Sequence, residues 1–439
     1  MSSLNKKVKN PAPTVVNYEG LKVPKNTAEN TLMRLTLAHM LFEDQFYIDG
    51  KSNAELLKEA VAKCSPIFVT ELAKTSRTKY KLRHVPLLLT RELIRKNHIK
   101  ADDIAAIIRR PDEMGELLAL YNKDGKKPLS NQLKKGLAKA FGKFDEYSLA
   151  KNDKNSAAYS VRDVMFLARP KPVDEARALL YTRIANNQMV VPDTWETQLS
   201  AGADKKETFE RLMAEDKLQA LAFLRNLRNM TQAGISENTI RAYGKTLDVT
   251  NVLPFRFIAA ARIVPQLEDM LEEMMFKACA GMEKIKGTTD VLIDVSGSMF
   301  GTKVSAKSDL DRFDAAAALA VLTRELCEDV KIYSFSNGLA RVPARRGFAL
   351  VEAIRNSQQH GGTALGKSIR ELDSKHGQSE RIIVITDEQS MDRPAKPKGK
   401  GYILNVGSYK NGINHDAWTT VTGFSEAVFE YIKFSENNA

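Results

Sequence analysis

The sequence predicts a chain in two parts, an α-helical repeat domain followed by a doubly wound α/β domain. Three observations carry this. From Ala28 to about Cys279, short amphipathic helices succeed one another without strand-like alternation. From Gly287 onward, apolar β-rich runs alternate with helices, the mark of a mostly parallel sheet covered on both faces. The charge balance changes at the same place. From Lys286 there are 20 Lys+Arg against 19 Asp+Glu, so +11 of the +12 net charge lies in residues 1–285. The expected organisation is an extended arm over 1–27, a helical domain over 28–285 and an α/β domain over 286–439.

Length and composition agree. A chain of 439 residues exceeds one ordinary core, and 43% hydrophobic with 27% charged residues is a soluble, globular balance. No run approaches the roughly 18 apolar residues of a membrane span. Met1-Ser-Ser-Leu-Asn-Lys-Lys7 lacks the apolar centre of a signal peptide. Cys64, Cys279 and Cys327 are scattered, without metal spacing, and suit a reducing compartment, so a cytoplasmic protein is expected.

Residues 1–27 are rich in Lys, Pro and Asn and have no periodicity. Helices are then predicted over 31–42, 53–63, 67–72, 85–94, 102–108, 112–120, 129–141, 160–167, 173–184, 205–213, 217–227, 237–243 and 255–276. Ser65-Pro66 supplies an N-cap and a first-turn proline. Arg110-Pro111 ends one helix and opens the next. Many short helices with short links suggest stacked antiparallel pairs, a HEAT-like solenoid. In the last part, strands are predicted at 290–295, 330–335, 381–386 and 402–406. Helices are predicted at 311–326, 348–354, 363–372 and 426–432.

The run Val291-Leu-Ile293 ends in Asp294-Val-Ser296-Gly-Ser298. Ligands of open α/β sheets sit past the carboxyl ends of strands. One carboxylate and two hydroxyls at alternate positions can converge on a small hard cation, and oxygen donors of this kind suit Mg²⁺. Gly361-Gly362-Thr363 offers a further hydroxyl before a helix, and Arg381-Ile-Ile-Val-Ile-Thr-Asp387 is a second apolar strand ending in a carboxylate. Asp294, Ser296, Ser298, Thr363 and Asp387 therefore form one candidate divalent-metal site, with the pattern of the metal-ion-dependent adhesion site of von Willebrand factor A domains. It has no evident general base, and an acidic protein ligand would complete the cation's shell.

Two catalytic readings compete with this. Gly361-Gly-Thr-Ala-Leu-Gly-Lys367-Ser368 fits the phosphate-loop pattern of an NTPase, but such a loop springs from a buried strand, and here Glu352–His360 reads as helix and polar turn. A phosphatase using Asp294 as nucleophile would want an acid two residues later, where Ser296 stands. The six histidines stand apart, with no zinc pair. No enzymatic activity is expected.

Several stretches together resemble the Ro autoantigen family, the ring-shaped TROVE proteins, of the bacterial or phage type. They are Ser160-Val-Arg-Asp-Val-Met-Phe-Leu-Ala-Arg169-Pro-Lys171-Pro172, Thr194-Trp195-Glu196, Leu221-Ala-Phe-Leu-Arg-Asn-Leu-Arg-Asn-Met230 and Val252-Leu-Pro-Phe-Arg256, followed by the metal motif. Arg169 stands where many relatives have His, and Thr386-Asp387-Glu388-Gln389 replaces a more usual Thr-Asp-Asn-Glu. The resemblance implies a closed, monomeric ring of helical repeats whose ends are clasped by the A domain. It also implies binding of Y-like noncoding RNA and of the single-stranded 3′ ends of misfolded RNA. A role as scaffold for an exoribonuclease such as polynucleotide phosphorylase would follow.

The basic helical part agrees from a separate direction, since phosphate backbone is its natural partner. The candidate RNA-binding residues are Lys134, Lys135 and Lys139 on one helix, Lys151 and Lys154 in a loop after the next, then Arg162, Arg169 and Lys171. The last five match family positions that contact RNA. A solvated helix face is the plain alternative for each, and Trp195 reads more readily as a buried aromatic fixing a helix pair. The expected function is RNA binding in noncoding-RNA quality control or processing. The alternatives are a Mg²⁺-dependent protein adaptor and, below that, an NTPase using Gly361–Ser368.

Overall fold

The structure is a computed structural model that describes residues 14–16, 22–24, 27–37, 47–48, 51–153, 158–303, 310–387, 390, 392–407, 418–422 and 427–437. The chain divides into two compact units. One comprises residues 52–284 with 426–434, the other 1–51, 285–425 and 435–439.

Among the described residues the first elements are β1 (Thr14–Val16) antiparallel to β2 (Lys22–Pro24), then α1 (Ala28–Leu37) and a small pair, β3 (Tyr47–Ile48) with β4 (Lys51–Ser52). The sequence reading had no strands here. It grouped α1 with the helical repeats, whereas α1 falls in the sheet-containing unit. Leu32, Leu35 and Leu37 of α1 are buried there.

The helical unit runs α2 (Asn53–Ala62), α3 (Pro66–Thr78), α4 (His84–Arg95), α5 (Ala101–Ile107), α6 (Asp112–Asn122), α7 (Asn131–Phe141), α8 (Glu146–Asn152), α9 (Val161–Ala168), α10 (Glu175–Ala185), α11 (Trp195–Ser200), α12 (Lys205–Ala214), α13 (Ala220–Gln232), α14 (Glu237–Thr246), α15 (Phe255–Ile263) and α16 (Glu268–Cys279). Local chemistry sets many of the boundaries. Ser65 Oγ accepts from the Phe68 amide and Pro66 fills the first turn of α3. Ser160 and Asp163 form a reciprocal capping box on α9. The helix expected over 255–276 is instead two, because Pro265 cannot donate and starts a short 3₁₀ turn after Val264 leaves helical geometry. Leu87, Leu89, Leu117, Leu118, Leu133 and Leu137 are all fully buried in the interior between α4, α6 and α7. Glu113 is also wholly buried, where it accepts from the Arg77 guanidinium and the Arg109 and Arg110 amides. Trp195, expected to be buried, is half-buried at the start of α11, a helix with no buried residue.

The other unit is built on β5 (Ile285–Asp294), α17 (Arg312–Leu326), β6 (Cys327–Phe335), β7 (Leu339–Arg341), α18 (Gly347–Arg355), α19 (Leu365–Lys375), β8 (Arg381–Thr386), β9 (Lys400–Asn405), β10 (Thr419–Thr422) and α20 (Val428–Asn437), whose last residues belong here. The strand order is β10-β9-β8-β5-β6-β7. All neighbours are parallel except the short edge strand β7. This is the doubly wound α/β fold predicted; β7 and β10 were not foreseen. Leu292, Tyr333, Phe335, Ile382, Val384 and Ile403 share a core with Leu365, Ile369 and Leu372 of α19. Val291 and Ile293 point to the other face, where α17 packs. From β5 the chain winds outward through β6 and β7, then returns to place β8 on the opposite side. The strand order therefore reverses between β5 and β8, and their carboxyl ends flank the crevice where such sheets take ligands.

Candidate functional site

Asp294 ends β5 and Asp387 follows β8, so the reversal itself brings the two carboxylates to one sheet edge. Both are fully buried. One Asp294 oxygen accepts the Ser296 amide at 2.9 Å and the other accepts the Thr386 hydroxyl at 2.6 Å. Burial pushes the Asp294 carboxyl up to about 6; the Ser296 and Thr386 hydrogen bonds oppose this, and the Asp387 charge adds to it. A charge this far from water is unfavourable unless a counter-charge or a proton offsets it. Ser298 lies in a 3₁₀ turn, Gly297–Met299, which brings its hydroxyl to 3.2 Å from that of Ser296. The Gly297 amide donates to the Gly361 carbonyl at 3.2 Å, so the Gly361–Thr363 loop lies against the Ser296–Ser298 turn. Thr363 is buried on that loop. The side wall is aromatic: Phe300 stacks on Phe313 at 4.7 Å and packs against His360, whose Nδ1 donates to the Val295 carbonyl.

As chemistry, two carboxylates and three hydroxyls on three loops fit a small hard divalent cation. Among the described residues no group of three or more His, Cys, Asp or Glu could hold a metal ion, so this set, with two carboxylates, depends on its hydroxyls. The sequence missed two members of this edge. Thr386, one residue before Asp387, orients Asp294. Arg312, the first residue of α17, lies within the set, with Nη1 2.9 Å from Asp387 Oδ2.

The glycine loop does not have the surroundings of a phosphate loop. It follows α18 and a turn instead of a strand, and its amides are engaged: Gly361 donates to Ser336 Oγ and Gly362 to Asn337 Oδ1. At the start of α19, the Gly366 and Lys367 amides donate to the Asp392 carboxylate. Lys367 is exposed and gives its ammonium to the Asn337 carbonyl at 2.9 Å.

In the helical unit the candidate cations separate into two groups. Lys139 is paired with Asp102, and Arg162 donates Nε to the Ala185 carbonyl at the end of α10. Lys143 caps α5 through the Ala105 and Ile108 carbonyls, and burial pushes its ammonium below the ordinary value. Arg177 likewise serves the Gly142 and Phe144 carbonyls, and Arg183 grips Glu146 with two hydrogen bonds. Lys134, Lys135, Lys151, Arg169 and Lys171 are exposed and make no ion pair among the described residues. Lys154 lies outside the described residues.

Lys151 is in the last turn of α8 and not in a loop as expected. Its ammonium lies 5.5 Å from the ring centre of Tyr147, and the Arg162 guanidinium lies 5.4 Å from that of Phe166. Tyr147 is 47% and Phe166 54% exposed. These aromatics went unnoticed in the sequence, although each stands four residues from its cation, a spacing that puts both on one helix face. The Val161 amide of α9 donates to Asp153, just past α8, at 3.0 Å and holds the two helices in sequence. Arg169 ends α9 in left-handed geometry at φ +52°, where glycine is usual, with its amide closing onto the Met165 carbonyl at 2.8 Å.

Residues 182–289 match the TROVE domain family. That span contains the Thr194–Glu196, Leu221–Met230 and Val252–Arg256 stretches, while Ser160–Pro172 precedes it. Telomerase protein component 1 of Mus musculus is 35% identical over 86 residues, 18% of this chain and 3% of that protein. Its counterpart in Rattus norvegicus is 31% identical over 108 residues, 23% of this chain and 4% of that protein. The chain thus spans only 3–4% of the length of these curated relatives. Among solved structures, the Ro (RSR) protein of Deinococcus radiodurans has the same fold. The TM-score is 0.68 at 16% identity, covering 94% of this chain and all of that one.

Proposed function

We propose that this chain, which carries a TROVE domain on the fold of a Ro protein, is a non-catalytic RNA-binding protein that takes single-stranded RNA on the α8–α9 face. One observation carries the reading: two exposed aromatic rings, Tyr147 on α8 and Phe166 on α9, each have a cation over the ring, and Arg169 and Lys171, which follow Phe166 in the sequence, are exposed. Exposed rings interleaved with cations suit unpaired bases and the phosphates that link them. The finer reading is binding of Y-like noncoding RNAs and of misfolded-RNA ends, in quality control or processing and as a scaffold for an exoribonuclease. A cytoplasmic site of action belongs to the same reading.

A second reading concerns the sheet edge. Asp294, Ser296, Ser298, Thr363 and Asp387 would hold Mg²⁺ or a similar ion, which supplies an electrophilic point for an acidic protein ligand. The buried Asp294 favours this. The two readings separate in one experiment, binding of a fluorescent single-stranded RNA and of an RNA duplex with and without EDTA. Tyr147→Ala with Phe166→Ala should weaken single-strand binding about tenfold or more. EDTA and Asp294→Ala should leave it unchanged. Binding abolished by EDTA and indifferent to the aromatic pair would sink the RNA assignment and leave the adaptor.

A further inference from the structure

Arg312 is only 4% exposed, although it opens a helix and carries a full charge. Its Nη1 is 2.9 Å from Oδ2 of the wholly buried Asp387 and 3.5 Å from the Ser298 carbonyl. Asp387 and Ser298 both belong to the proposed metal set, so the set already contains a cation fixed to the chain. We propose that Arg312 is a tethered counter-ion: it neutralises Asp387 when the metal is absent, and a divalent ion binds in competition with it.

The neighbourhood positions Arg312 for this role. Asp311 and Asp314 form a capping box at the start of α17, and the Arg312 amide donates to the Thr302 carbonyl at 3.0 Å. α17 is buried from Arg312 through Thr323, so its first residue cannot turn to water without moving the helix. A buried carboxylate without a counter-charge is strongly unfavourable, and the guanidinium removes that problem in the metal-free protein. A metal ion approaching Asp387 must then displace the guanidinium or sit beside it, and two cations so close in a poorly polarisable interior repel strongly. Either way, the donors hold the ion less tightly than they would without Arg312. The charge count also gives a ligand class. Two carboxylates, one guanidinium and one divalent ion leave an excess positive charge, so the loaded site attracts an anionic oxygen ligand.

This inference rests on the metal reading above, and the experiment keeps the two apart. Mn²⁺ binding to EDTA-stripped protein is measured by calorimetry and by the electron paramagnetic resonance of free Mn²⁺, with thermal unfolding followed with and without Mn²⁺. Arg312→Met should bind Mn²⁺ about tenfold more tightly than the unaltered chain, while Arg312→Lys, which keeps the charge, should stay within about threefold. The Met variant should also be less stable without metal and gain more from Mn²⁺; folding that requires Mn²⁺ would support the proposal equally. A folded Met variant that binds no more tightly overturns it. So does one that fails to fold even with Mn²⁺, since a metal then cannot replace the guanidinium. If the unaltered chain and the Met variant both fail to bind Mn²⁺ at millimolar concentration, the metal reading itself falls.

Discussion

Replacing Lys151, Arg169 and Lys171 together by Gln distinguishes cations that face phosphate from cations that hold the helices together. The sequence nominates eight residues without telling which are paired. The structure pairs Lys139 with Asp102 and ties Arg162 to a helix-end carbonyl, but leaves these three exposed. Each phosphate neutralised along a single strand contributes about 0.7 to the slope of log affinity against log salt, so three lost contacts lower the slope by about 2. Over the fourfold range from about 50 to 200 mM salt, the unaltered protein should lose about 20-fold more affinity than the triple variant. Fluorescence anisotropy of a labelled single-stranded RNA at several salt concentrations measures this directly. Lys139→Gln is the matched control: it removes a positive charge from an ion pair and should change the slope by less than about 0.3. Parallel salt lines for the unaltered and triple-variant proteins would refute the assignment. A control that fell as far as the triple variant would refute the sorting of the cations.

Three further outcomes follow from the same structure. Glu113→Ala strands the 11%-exposed Arg77 and two backbone amides, and should cost about 3 kcal/mol or more, read as a lowered urea midpoint. At Glu436, burial works to raise the carboxyl, but the Arg381 guanidinium more than offsets it and holds the group below its ordinary value. The stabilisation from this pair is therefore complete above the unfolded value of 4.5 and is lost as the pH falls through the lower folded value. The stability gap between the unaltered chain and Glu436→Gln should be widest at neutral pH and close as the pH falls below 4.5; a gap independent of pH would contradict it. Lys367→Ala should change neither RNA affinity nor any ATP turnover, and should alter stability by less than about 0.5 kcal/mol, because this lysine is exposed and makes one carbonyl hydrogen bond and a long ion pair with Glu371. Turnover that disappears with Lys367 would restore the NTPase reading.

What was legible in the sequence is what short-range chemistry decides. Ser65-Pro66 and Ser160-x-x-Asp163 state their helix starts outright, and Val291-Leu-Ile293 and Ile382-Ile-Val-Ile385 are apolar on both faces because both faces are covered. Their strand-end carboxylates then meet for a topological reason, since the order reverses between β5 and β8. The short edge strands β7 and β10, of three and four residues, carry too little pattern to declare themselves.

The cations whose partners went unread share a different cause. A cation's role depends on its partner, and that partner is usually distant in sequence. Arg312 and Asp387 are 75 residues apart, Lys143 and Ile108 35, Arg177 and Phe144 33. Within Asp311-Arg-Phe-Asp314 nothing separates a solvated helix start from a buried charge paired with a distant carboxylate. The excess of +11 in residues 1–285 is therefore an upper bound on phosphate-facing charge, because part of it is committed to carbonyls at helix ends. The RNA-facing share is better identified by what it lacks. Lys151 has an exposed ring beneath it instead of a carboxylate.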